Sequence, residues 1–365
     1  MGYEVRIYIS IQHDEDIGLA DVTQDKKIKN MDEFAIISGI SRPTISKYFN
    51  DPDSVRSSTR RRIEKALQDH DYTPNFFAIN QNRKLTKNIG IIVPYLSDPF
   101  FAEIARTIAA FVTDAGYRPV LLGSGGSPEQ EVDNLDNLRI LKPSGVLMAP
   151  LGELSDTARL KAFCEDIPTV LFDSNIENVG ACFVGLNNRS SIMLIVDYLI
   201  RTGEAPCFFE MRTPTNPNAH TRRYAYLEAM KRFGKAPHVL QAEGDSWDFE
   251  GIGFRAASRL FSEKNLPTNT ILCSNDRLAI GVLSAAYEAD IRVGLGSDCT
   301  LRVAGHDDHP FSRYTSPTLT TVSQDYSAIA ESSVQRLLSL IERPHVKNLR
   351  DEIYFDGKLI MRGSA

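Results

Sequence analysis

The stretch Ser41-Arg-Pro-Thr-Ile-Ser-Lys-Tyr-Phe-Asn50 lies near the start of a 365-residue chain and begins two residues after Gly39. Glycine readily adopts the left-handed backbone of a tight turn, and Ser41 can accept hydrogen bonds from the free amides that begin a helix. Pro43 falls in the first turn of that helix, where no intrahelical bond is lost. A first helix is predicted before the turn from the helical spacing of Met31, Phe34, Ala35 and Ser38. The pattern predicts a helix-turn-helix, and therefore a DNA-binding head on a larger body.

A third helix is predicted at residues 59–68, with Ser57 or Ser58 as its cap and Ile63 in its apolar stripe. Pro74 then stops helical structure, and a polar connector leads to a strongly apolar run that starts at residue 89. The predicted domains are residues 27–73 for the helix-turn-helix domain, 74–88 for a hinge or linker, and 89–365 for a two-lobed, effector-binding and dimerisation domain. Residues 1–26 are expected to be a disordered or extra segment, and they lack the pattern of a secretory signal.

Charge is distributed unevenly along the chain. Residues 27–88 carry 12 Lys and Arg against 7 Asp and Glu, a local charge of +5, whereas the whole chain carries −6 and the remainder therefore −11. Local positive charge favours contact with DNA phosphates, and an acidic remainder disfavours it. An ordinary solvated helix surface would also explain the charge by itself, but the helix-turn-helix spacing in the same segment favours DNA binding.

The composition limits the classes of protein to consider. The chain is 42% apolar, and no stretch approaches the ~20 apolar residues of a membrane span. Its five cysteines are widely spaced and lack CxxC or Cys/His metal-ligand spacing, which predicts reduced thiols. We therefore expect a soluble, multi-domain, cytoplasmic protein, associated with the nucleoid and not with a membrane.

Beyond the connector, short apolar runs alternate with amphipathic helical segments. The predicted strands are residues 89–93, 120–122, 145–148, 169–172, 182–184, 207–209, 270–273 and 301–304, and the predicted helices include 101–115, 189–201, 222–233, 251–262 and 278–289. Such alternation is typical of doubly wound parallel sheets with helices on both faces. About 275 residues exceed what one such sheet usually holds. The sequence predicts an α/β body of two similar lobes that face each other across a cleft.

Polar residues follow several of the predicted strands. They are Asp98, Asp173, Asn275, Asp276, Asp307 and Asp308. Ligands of doubly wound sheets bind at these carboxyl ends, and carboxylates and amides suit a ligand with many hydroxyl groups. Arg222 could donate two parallel hydrogen bonds, and Phe100, Trp247 or Tyr326 could cover the apolar face of a sugar ring. Each residue alone could be only a helix cap or turn former, Asp276 and Asp308 in particular.

Several ordered motifs resemble those of one known family. They are Ser38-Gly-Ile-Ser-Arg-Pro-Thr-Ile-Ser-Lys-Tyr-Phe-Asn50, Tyr72-Thr-Pro-Asn75, Ile89-Gly-Ile-Ile-Val-Pro94, Asp98-Pro-Phe-Phe-Ala-Glu103, Ser274-Asn-Asp276, Gly305-His-Asp-Asp308, Leu319-Thr-Thr321 and Gln324-Asp325. From Ile28 to the C-terminus the chain resembles the lactose and galactose repressor (LacI/GalR) family of bacterial transcription regulators. The resemblance implies a homodimer on a pseudo-palindromic operator, and a body like a periplasmic binding protein that holds a small-molecule effector, expected to be a sugar or sugar derivative.

The resemblance also implies roles for individual residues. Arg42, Pro43 and Lys47 match base-reading positions, while Thr44, Ser46 and Asn50 match positions that orient the helix through phosphates or packing. The further DNA-binding positions that it implies are Ser41, Tyr72, Asn75, Ala78 and Gln81. The implied effector contacts are Asp98, Phe100, Phe101, Asp173, Arg222, Asn275, Asp307 and Tyr326, with Trp247 included if one residue is inserted nearby.

The hinge departs from the family pattern. After Pro74 the family typically presents a leucine that wedges into the minor groove, and Gln81 stands at that position here. A polar amide cannot replace an apolar wedge. Gln81 could instead hydrogen-bond groove acceptors, or Ile79 could shift to serve, so we expect hinge contact without the usual kink.

Catalytic and metal-binding functions are disfavoured by the motifs. Residues 305–309 read Gly-His-Asp-Asp-His, but adjacent side chains point in different directions and no second ligand cluster is visible. Gly123-Ser-Gly-Gly126 lacks the Lys-Ser/Thr of a phosphate-binding loop, and no nucleophile elbow is present. We therefore predict an effector-controlled, sequence-specific transcription regulator, a repressor more than an activator, which is not an enzyme and needs no cofactor or metal. The alternative is a sugar-binding or sugar-acting protein on the same lobes without a regulatory DNA role.

Overall fold

A computed structural model describes residues 28, 30–50, 52–70, 72, 86–215, 217–343 and 350–365. The chain separates into two compact units, Met1–Arg83 and Lys84–Ala365, which we call the head and the body. The predicted segment 1–26 and the predicted hinge contacts Asn75, Ala78 and Gln81 lie outside the described residues. Among the described residues, no helix is long and apolar enough to cross a membrane.

The described residues of the head form three α-helices, as predicted: α1 (Met31–Ser38), α2 (Arg42–Asn50) and α3 (Ser57–Asp69). The Asn30 side chain accepts a hydrogen bond from the Glu33 amide at the start of α1, and Gly39, with a φ of 63°, ends α1 in the left-handed conformation. The prediction that Ser57 or Ser58 caps α3 was wrong. Both serines lie inside the first turn of α3, and the residue at the cap position, Arg56, makes no side-chain capping bond.

A small apolar core joins the three helices of the head. It is formed by Phe34, Ile40, Ile45, Ile63 and Tyr72. The rings of Phe34 and Tyr72 are stacked with their centroids 4.6 Å apart. Since α1, α2 and α3 each contribute a fully buried side chain, the orientation of α2 relative to α1 and α3 depends on this core.

The first lobe of the body is built on a parallel six-stranded sheet in the order β11-β5-β4-β3-β1-β2. Its strands are β1 (Asn88–Val93), β2 (Arg118–Gly123), β3 (Gly145–Met148), β4 (Thr169–Phe172), β5 (Cys182–Leu186) and β11 (Asp351–Phe355). Helices α4 (Pro99–Asp114) and α11 (Tyr326–Glu342) pack on one face, and α5 (Pro128–Leu141) and α6 (Thr157–Asp166) pack on the other. The near-continuous apolar strands are explained by this double coverage.

The second lobe has a parallel four-stranded sheet in the order β7-β6-β8-β9. Its strands are β6 (Cys207–Met211), β7 (Val239–Ala242), β8 (Thr270–Cys273) and β9 (Arg302–Ala304). Helices α7 (Asn188–Thr202) and α8 (Asn218–Arg232) cover one face, and α9 (Phe249–Ser262) and α10 (Asp276–Glu288) cover the other. A short antiparallel pair, β10 (Thr321–Ser323) and β12 (Lys358–Ile360), completes the body. The predicted fold class is confirmed.

Within the described part of the chain, the backbone passes between the lobes at three places: from β5 to α7, from β10 to α11, and from β11 to β12. Two of these crossings are hydrogen-bonded to each other, because Asn187 Nδ2 and the Ser190 hydroxyl both donate to Asp356 Oδ1, over 3.1 and 2.6 Å. Gly357 follows at a point where a Cβ atom would lie 2.5 Å from Val322 Cγ1. The crossings therefore form one tightly packed edge, and the cleft lies between the lobes beside it.

Candidate DNA-binding surface and effector site

Helix α2 presents a polar face to solvent. Ser41, Arg42, Pro43 and Lys47 are exposed, Thr44 and Ser46 are half-buried, and Ile45 points into the core. The Ser41 and Thr44 hydroxyls are hydrogen-bonded over 2.8 Å at the start of the helix. The Arg42 guanidinium lies 3.1 Å from the Asp32 carboxylate, and both groups are exposed. An exposed ion pair of this kind is weak, so Arg42 can exchange it for a DNA base or phosphate.

Two predicted DNA-binding residues are not part of the described polar face of α2. Tyr72 is 7% exposed and stacks on Phe34, so the structure assigns its ring to the head core and not to the exposed face of α2. The backbone of Asn50 ends α2, and its side chain lies outside the described residues.

A narrow cavity lies between the two lobes at the carboxyl ends of the strands. Its open volume is about 20 Å³. It is lined by Asp98, Phe100, Phe101, Asp173, Arg222, Trp247, Phe249, Asn275, Asp276, Arg277, Asp307, His309 and Gln324. Eight of the nine predicted effector residues are therefore brought together, and Tyr326 is the exception. Since this volume is close to that of a single water molecule, the lining side chains must move apart to admit a sugar.

A buried ion pair between Arg222 and Asp307 forms the centre of the cavity. Arg222 is 1% exposed, and its two terminal nitrogens donate to the two Asp307 carboxylate oxygens over 3.2 and 2.6 Å. The Arg222 side chain also donates to Asn188 Oδ1 and to the Ser274 carbonyl, each over 2.8 Å. This fork holds the guanidinium in one orientation, because parallel bonds to a carboxylate fix its plane.

Asp307 is held by several further contacts. Its Oδ1 accepts from Gln324 Nε2 over 2.8 Å and from His306 Nδ1 over 3.0 Å, and its carbonyl accepts from the Tyr326 hydroxyl over 2.7 Å. Burial alone would raise the pKa of Asp307, but the Arg222 guanidinium and His306 outweigh burial and hold that pKa well below its usual value. The φ of Asp307 is 116°, a strained backbone that persists because these contacts fix it. Tyr326 thus supports the site from outside the cavity.

The neighbouring carboxylate Asp276 has a structural role. It is fully buried and accepts from the Thr321 and Ser312 hydroxyls, each over 2.6 Å, and from the His309 amide over 2.8 Å. Burial raises the pKa of Asp276 to about 7, although the two hydroxyl bonds oppose that shift. Asp276 therefore fixes the loop that carries Asp307.

Asn275 and Asp308 also hold the loops in place. The Asn275 side chain caps α10 by accepting from the Leu278 amide over 2.8 Å, and Asp308 pairs with Arg362 over 2.6 Å. The contacts of Asp308 thus agree with the alternative named in the sequence analysis, that it is a local structural residue and not a ligand contact. Asn275 keeps its amide group beside the cavity while its oxygen caps the helix.

Two carboxylates of the first lobe face these groups. Asp173 follows β4 with a φ of 60° and accepts from Asn218 Nδ2 over 3.1 Å. Burial raises the pKa of Asp173 to about 7, while the Arg222 guanidinium opposes the rise. Asp98 caps α4 by accepting from the Phe100 amide over 2.9 Å, and it also accepts from Arg277 Nη1 over 2.8 Å. Carboxylates therefore line both sides of the cavity.

Aromatic rings close the remaining walls. Trp247 stacks on Tyr95 with a centroid distance of 5.1 Å and an interplanar angle of 2°, and it meets Phe249 edge-on at 5.6 Å. Phe100 and Phe101 lie edge to face at 4.9 Å. Carboxylates, a fixed guanidinium and flat apolar rings together suit a small molecule that has hydroxyl groups around an apolar ring face. Among the described residues, no group of three or more His, Cys, Asp or Glu side chains is placed to hold a metal ion.

The structure predicts a pH dependence centred on His306. Burial, reinforced by the Arg222 guanidinium, lowers the pKa of His306 to about 4, whereas an unfolded histidine titrates near 6.5. Between these values only the unfolded state binds the proton, so the stability contributed by neutral His306 is present above pH ~6.5 and is lost as the pH falls toward ~4. Chemical unfolding would measure the free energy of unfolding of the wild-type protein and of His306→Gln at about pH 7.5 and about pH 5. When the pH is lowered to about 5, the wild type should lose roughly 1–2 kcal/mol of stability relative to the variant.

The comparison with the variant is needed because other groups titrate in the same range. Asp173 and Asp276 have pKa values raised to about 7, which stabilise the folded state as the pH falls, opposite in sign to His306. Their contributions largely cancel between the two proteins. A stability difference that stays constant between the two pH values would contradict a buried, neutral His306.

Comparison with known proteins agrees with this architecture. The model of bacterial regulatory proteins of the lacI family matches residues 30–75, and the model of the periplasmic binding protein-like domain matches residues 196–365. The transcriptional repressor CytR of Escherichia coli (strain K12) is 29% identical over 92% of this chain and 96% of its own length. The repressor PurR of Histophilus somni (strain 2336) is 26% identical over 91% of this chain and 98% of its own length. A crystal structure of the Lac repressor bound to ONPG has a TM-score of 0.78 and 24% identity, and the match covers 93% of this chain and 100% of that one.

The helix-turn-helix head and the two-lobed body define a DNA-binding transcription regulator. The chain carries a DNA-binding domain of the lacI family followed by a periplasmic binding protein-like domain, which confirms the resemblance seen in its motifs.

Proposed function

We propose that the protein is a transcriptional repressor that binds a pseudo-palindromic operator as a homodimer and is controlled by a small carbohydrate-like effector held between its lobes. The observation that carries the proposal is the presence, in one chain, of an exposed α2 in a helix-turn-helix and a closed polar cavity around Arg222 and Asp307. The effector would change the angle between the lobes, and with it the spacing of the two heads of the dimer. Such coupling requires an effector that binds the two lobe arrangements with different affinity.

Several features support the choice of effector and the absence of catalysis. Asp98, Asp173 and Asp307 offer acceptors for hydroxyl groups, Arg222 offers donors, and Trp247 and Phe100 offer flat apolar surfaces. The relatives are named as repressors, among them a ribose operon repressor of Escherichia coli (strain K12) that is 26% identical over 92% of this chain. We propose a purely regulatory, cytoplasmic role for the chain, at the nucleoid, with no cofactor.

Selection from a random pool of duplex DNA tests the proposal. The purified full-length protein would be mixed with the pool at a stated salt concentration, with and without a panel of neutral sugars, and the retained DNA would be sequenced. Enrichment of an inverted repeat that one sugar enhances or abolishes would support the proposal. The absence of enrichment in every condition, or conversion of a sugar by the protein, would contradict it and favour a sugar-binding or sugar-acting protein.

Arg42→Ala is expected to weaken binding to the selected operator by roughly 1–3 kcal/mol and to relax base preference at one position in each half-site. The reason is that Arg42 is exposed at the start of α2, where a guanidinium can donate two bonds to a guanine. Operator affinity and a repeated selection at the same salt concentration measure the effect. Arg201→Ala, which removes an exposed arginine of the body paired with Asp197, is the control and should behave like the wild type. Unchanged base preference in Arg42→Ala would contradict base reading.

A further inference from the structure

Arg277 occupies one end of the cavity with its charge fully paired. Its Nε and Nη2 donate to the two carboxylate oxygens of Glu250, each over 2.6 Å, and its Nη1 donates to Asp98 Oδ2 over 2.8 Å. The guanidinium also lies over the Phe249 ring, 4.9 Å from the centroid. The Arg277 side chain is 16% exposed. One cation is thus enclosed by two carboxylates and an aromatic face, which is a complete binding site for a cation.

The partners of Arg277 belong to different lobes. Asp98 follows β1 of the first lobe, whereas Glu250 and Arg277 lie on α9 and α10 of the second. A second contact of the same kind is the stack of Tyr95, from the first lobe, on Trp247, from the second. Trp247 is wedged against the first lobe so closely that a Cβ at Gly126 would lie 2.7 Å from its Nε1. Arg277 therefore bridges the cleft beside an aromatic contact that also bridges it.

No other cation competes for this end of the cavity among the described lining residues. His309 is buried nearby, and burial lowers its pKa. Its Nδ1 accepts from the Phe311 amide over 3.2 Å, which leaves the hydrogen on Nε2. Arg222, the other guanidinium of the lining, is committed to Asp307. Among the described lining residues, Arg277 is therefore the cation that pairs with both Asp98 and Glu250.

We propose that Arg277 is a built-in cationic occupant of the effector cleft, which ties the two lobes together through Asp98 and Glu250 and restricts the effector to an uncharged molecule. A cationic group on an effector cannot bind between Asp98 and Glu250, because the Arg277 guanidinium occupies that position. An anionic group meets the carboxylates of Asp98 and Asp307 in the lining of the same cavity. The statement about effector charge rests on the proposed function, whereas the bridging of the lobes does not.

The single tryptophan of the chain provides a direct test. Trp247 lies at the contact between the lobes, so quenching of its fluorescence by acrylamide reports whether that contact is closed. In the full-length Arg277→Ala protein the quenching constant should rise severalfold, because the lobes separate. Methylguanidinium should then restore the wild-type quenching constant in a saturable manner, because it can occupy the position of the missing Arg277 guanidinium between Asp98 and Glu250. Arg277→Lys should fall between the two, because a compact ammonium cannot pair with Glu250 at two points and also reach Asp98.

Arg259→Ala is the matched control. Arg259 lies on α9, pairs with Glu263 over 2.7 Å in solvent, and contacts neither the cleft nor the first lobe through that pair. This variant and the wild type should show no response to methylguanidinium. If Arg277→Ala does not fold, as judged by thermal melting, Arg277→Gln provides the same test.

Either of two results would overturn the proposal: a wild-type quenching constant in a folded Arg277 variant, or equal protection by methylguanidinium in the Arg259 control. The effector restriction has its own readout. Amine-bearing sugars should bind the Arg277→Ala protein severalfold more tightly than the wild type, and equal affinities would overturn this part of the proposal. Failure to select an operator would contradict the proposed regulatory function. It would not affect the quenching results, which test separately whether Arg277 joins the two lobes.

Discussion

Replacing Arg222 with methionine is expected to lower the free energy of unfolding of the body by about 3–5 kcal/mol and to abolish the response to effector. The substitution leaves Asp307 as a buried charge without its main partner, and it leaves Asn188 Oδ1 and the Ser274 carbonyl without the bonds that Arg222 supplies. Methionine keeps an unbranched apolar chain as far as the position of arginine Nε, so the loss measures mainly the missing charge and hydrogen bonds of the guanidinium. This is the largest effect on stability that the structure of the body predicts.

Urea unfolding followed through Trp247 fluorescence measures this effect in the body alone, because Trp247 is the only tryptophan in the chain. Arg189→Met is the matched control: Arg189 pairs with Glu228 on the surface, and loss of such a pair should cost less than about 1 kcal/mol. The double variant Arg222→Met with Asp307→Asn should recover part of the loss, because the unpaired charge is removed as well. Equal unfolding midpoints for the Arg222 and Arg189 variants would show that the buried pair does not hold the site together.

Phe34→Ala is expected to unfold the head and abolish operator binding while the body stays folded and binds effector. Phe34 is fully buried, stacks on Tyr72, and is one of the five core residues that join α1, α2 and α3. Truncation of a buried phenylalanine costs about 3–5 kcal/mol, which is comparable to the whole stability of a domain this small. Operator affinity, measured beside Trp247-detected unfolding of the body, separates loss of the head from loss of the whole protein.

Ile36→Ala is the control for this experiment. Ile36 lies on the same helix and is also a large apolar residue, but it is 81% exposed, so its truncation should change stability by less than about 0.5 kcal/mol. Normal operator affinity in Phe34→Ala would mean that the orientation of α2 does not depend on the core of the head. Loss of operator affinity in Ile36→Ala would instead identify an interaction surface on α1.

Seven of the eight predicted strands of the body could be found because they are buried on both faces and therefore continuous in apolar residues, whereas β2 is an exposed edge strand with a short apolar run. All eight predicted strands are present, with ends that differ by a few residues. Helix α5 was missed because its buried face includes Glu131 and Asn134, which interrupt the apolar period. Strands β7 and β11 were missed because they are half-exposed edge strands, and β10 and β12 because three residues do not establish a period.

The residues of the site that directly follow a strand could be predicted from the sequence. Parallel strands bring their carboxyl ends to one edge, so Asp98, Asp173, Asn275 and Asp307 could be grouped without knowledge of their partners. Arg277 was missed although it stands two residues after Asn275, because nothing in the local pattern indicates that Glu250 and Asp98 meet it. Gln324 was quoted in a motif but not assigned, since its role depends on the crossing between β10 and α11. Long-range partners of polar side chains are set by tertiary structure.

The first lobe is assembled from both ends of the body, since α11 and β11 are encoded after helices α7 to α10 and the four-stranded sheet of the second lobe. On the ribosome, β5 therefore leaves the exit tunnel about 165 residues before its neighbour β11, an interval of roughly 8–30 s at bacterial rates of translation. During that time the apolar surface beneath α11 is uncovered, and the edge of β5 has no partner. The nascent chain is thus most vulnerable to aggregation while its second lobe is being made, and a chaperone that binds the uncovered surface would act in that interval.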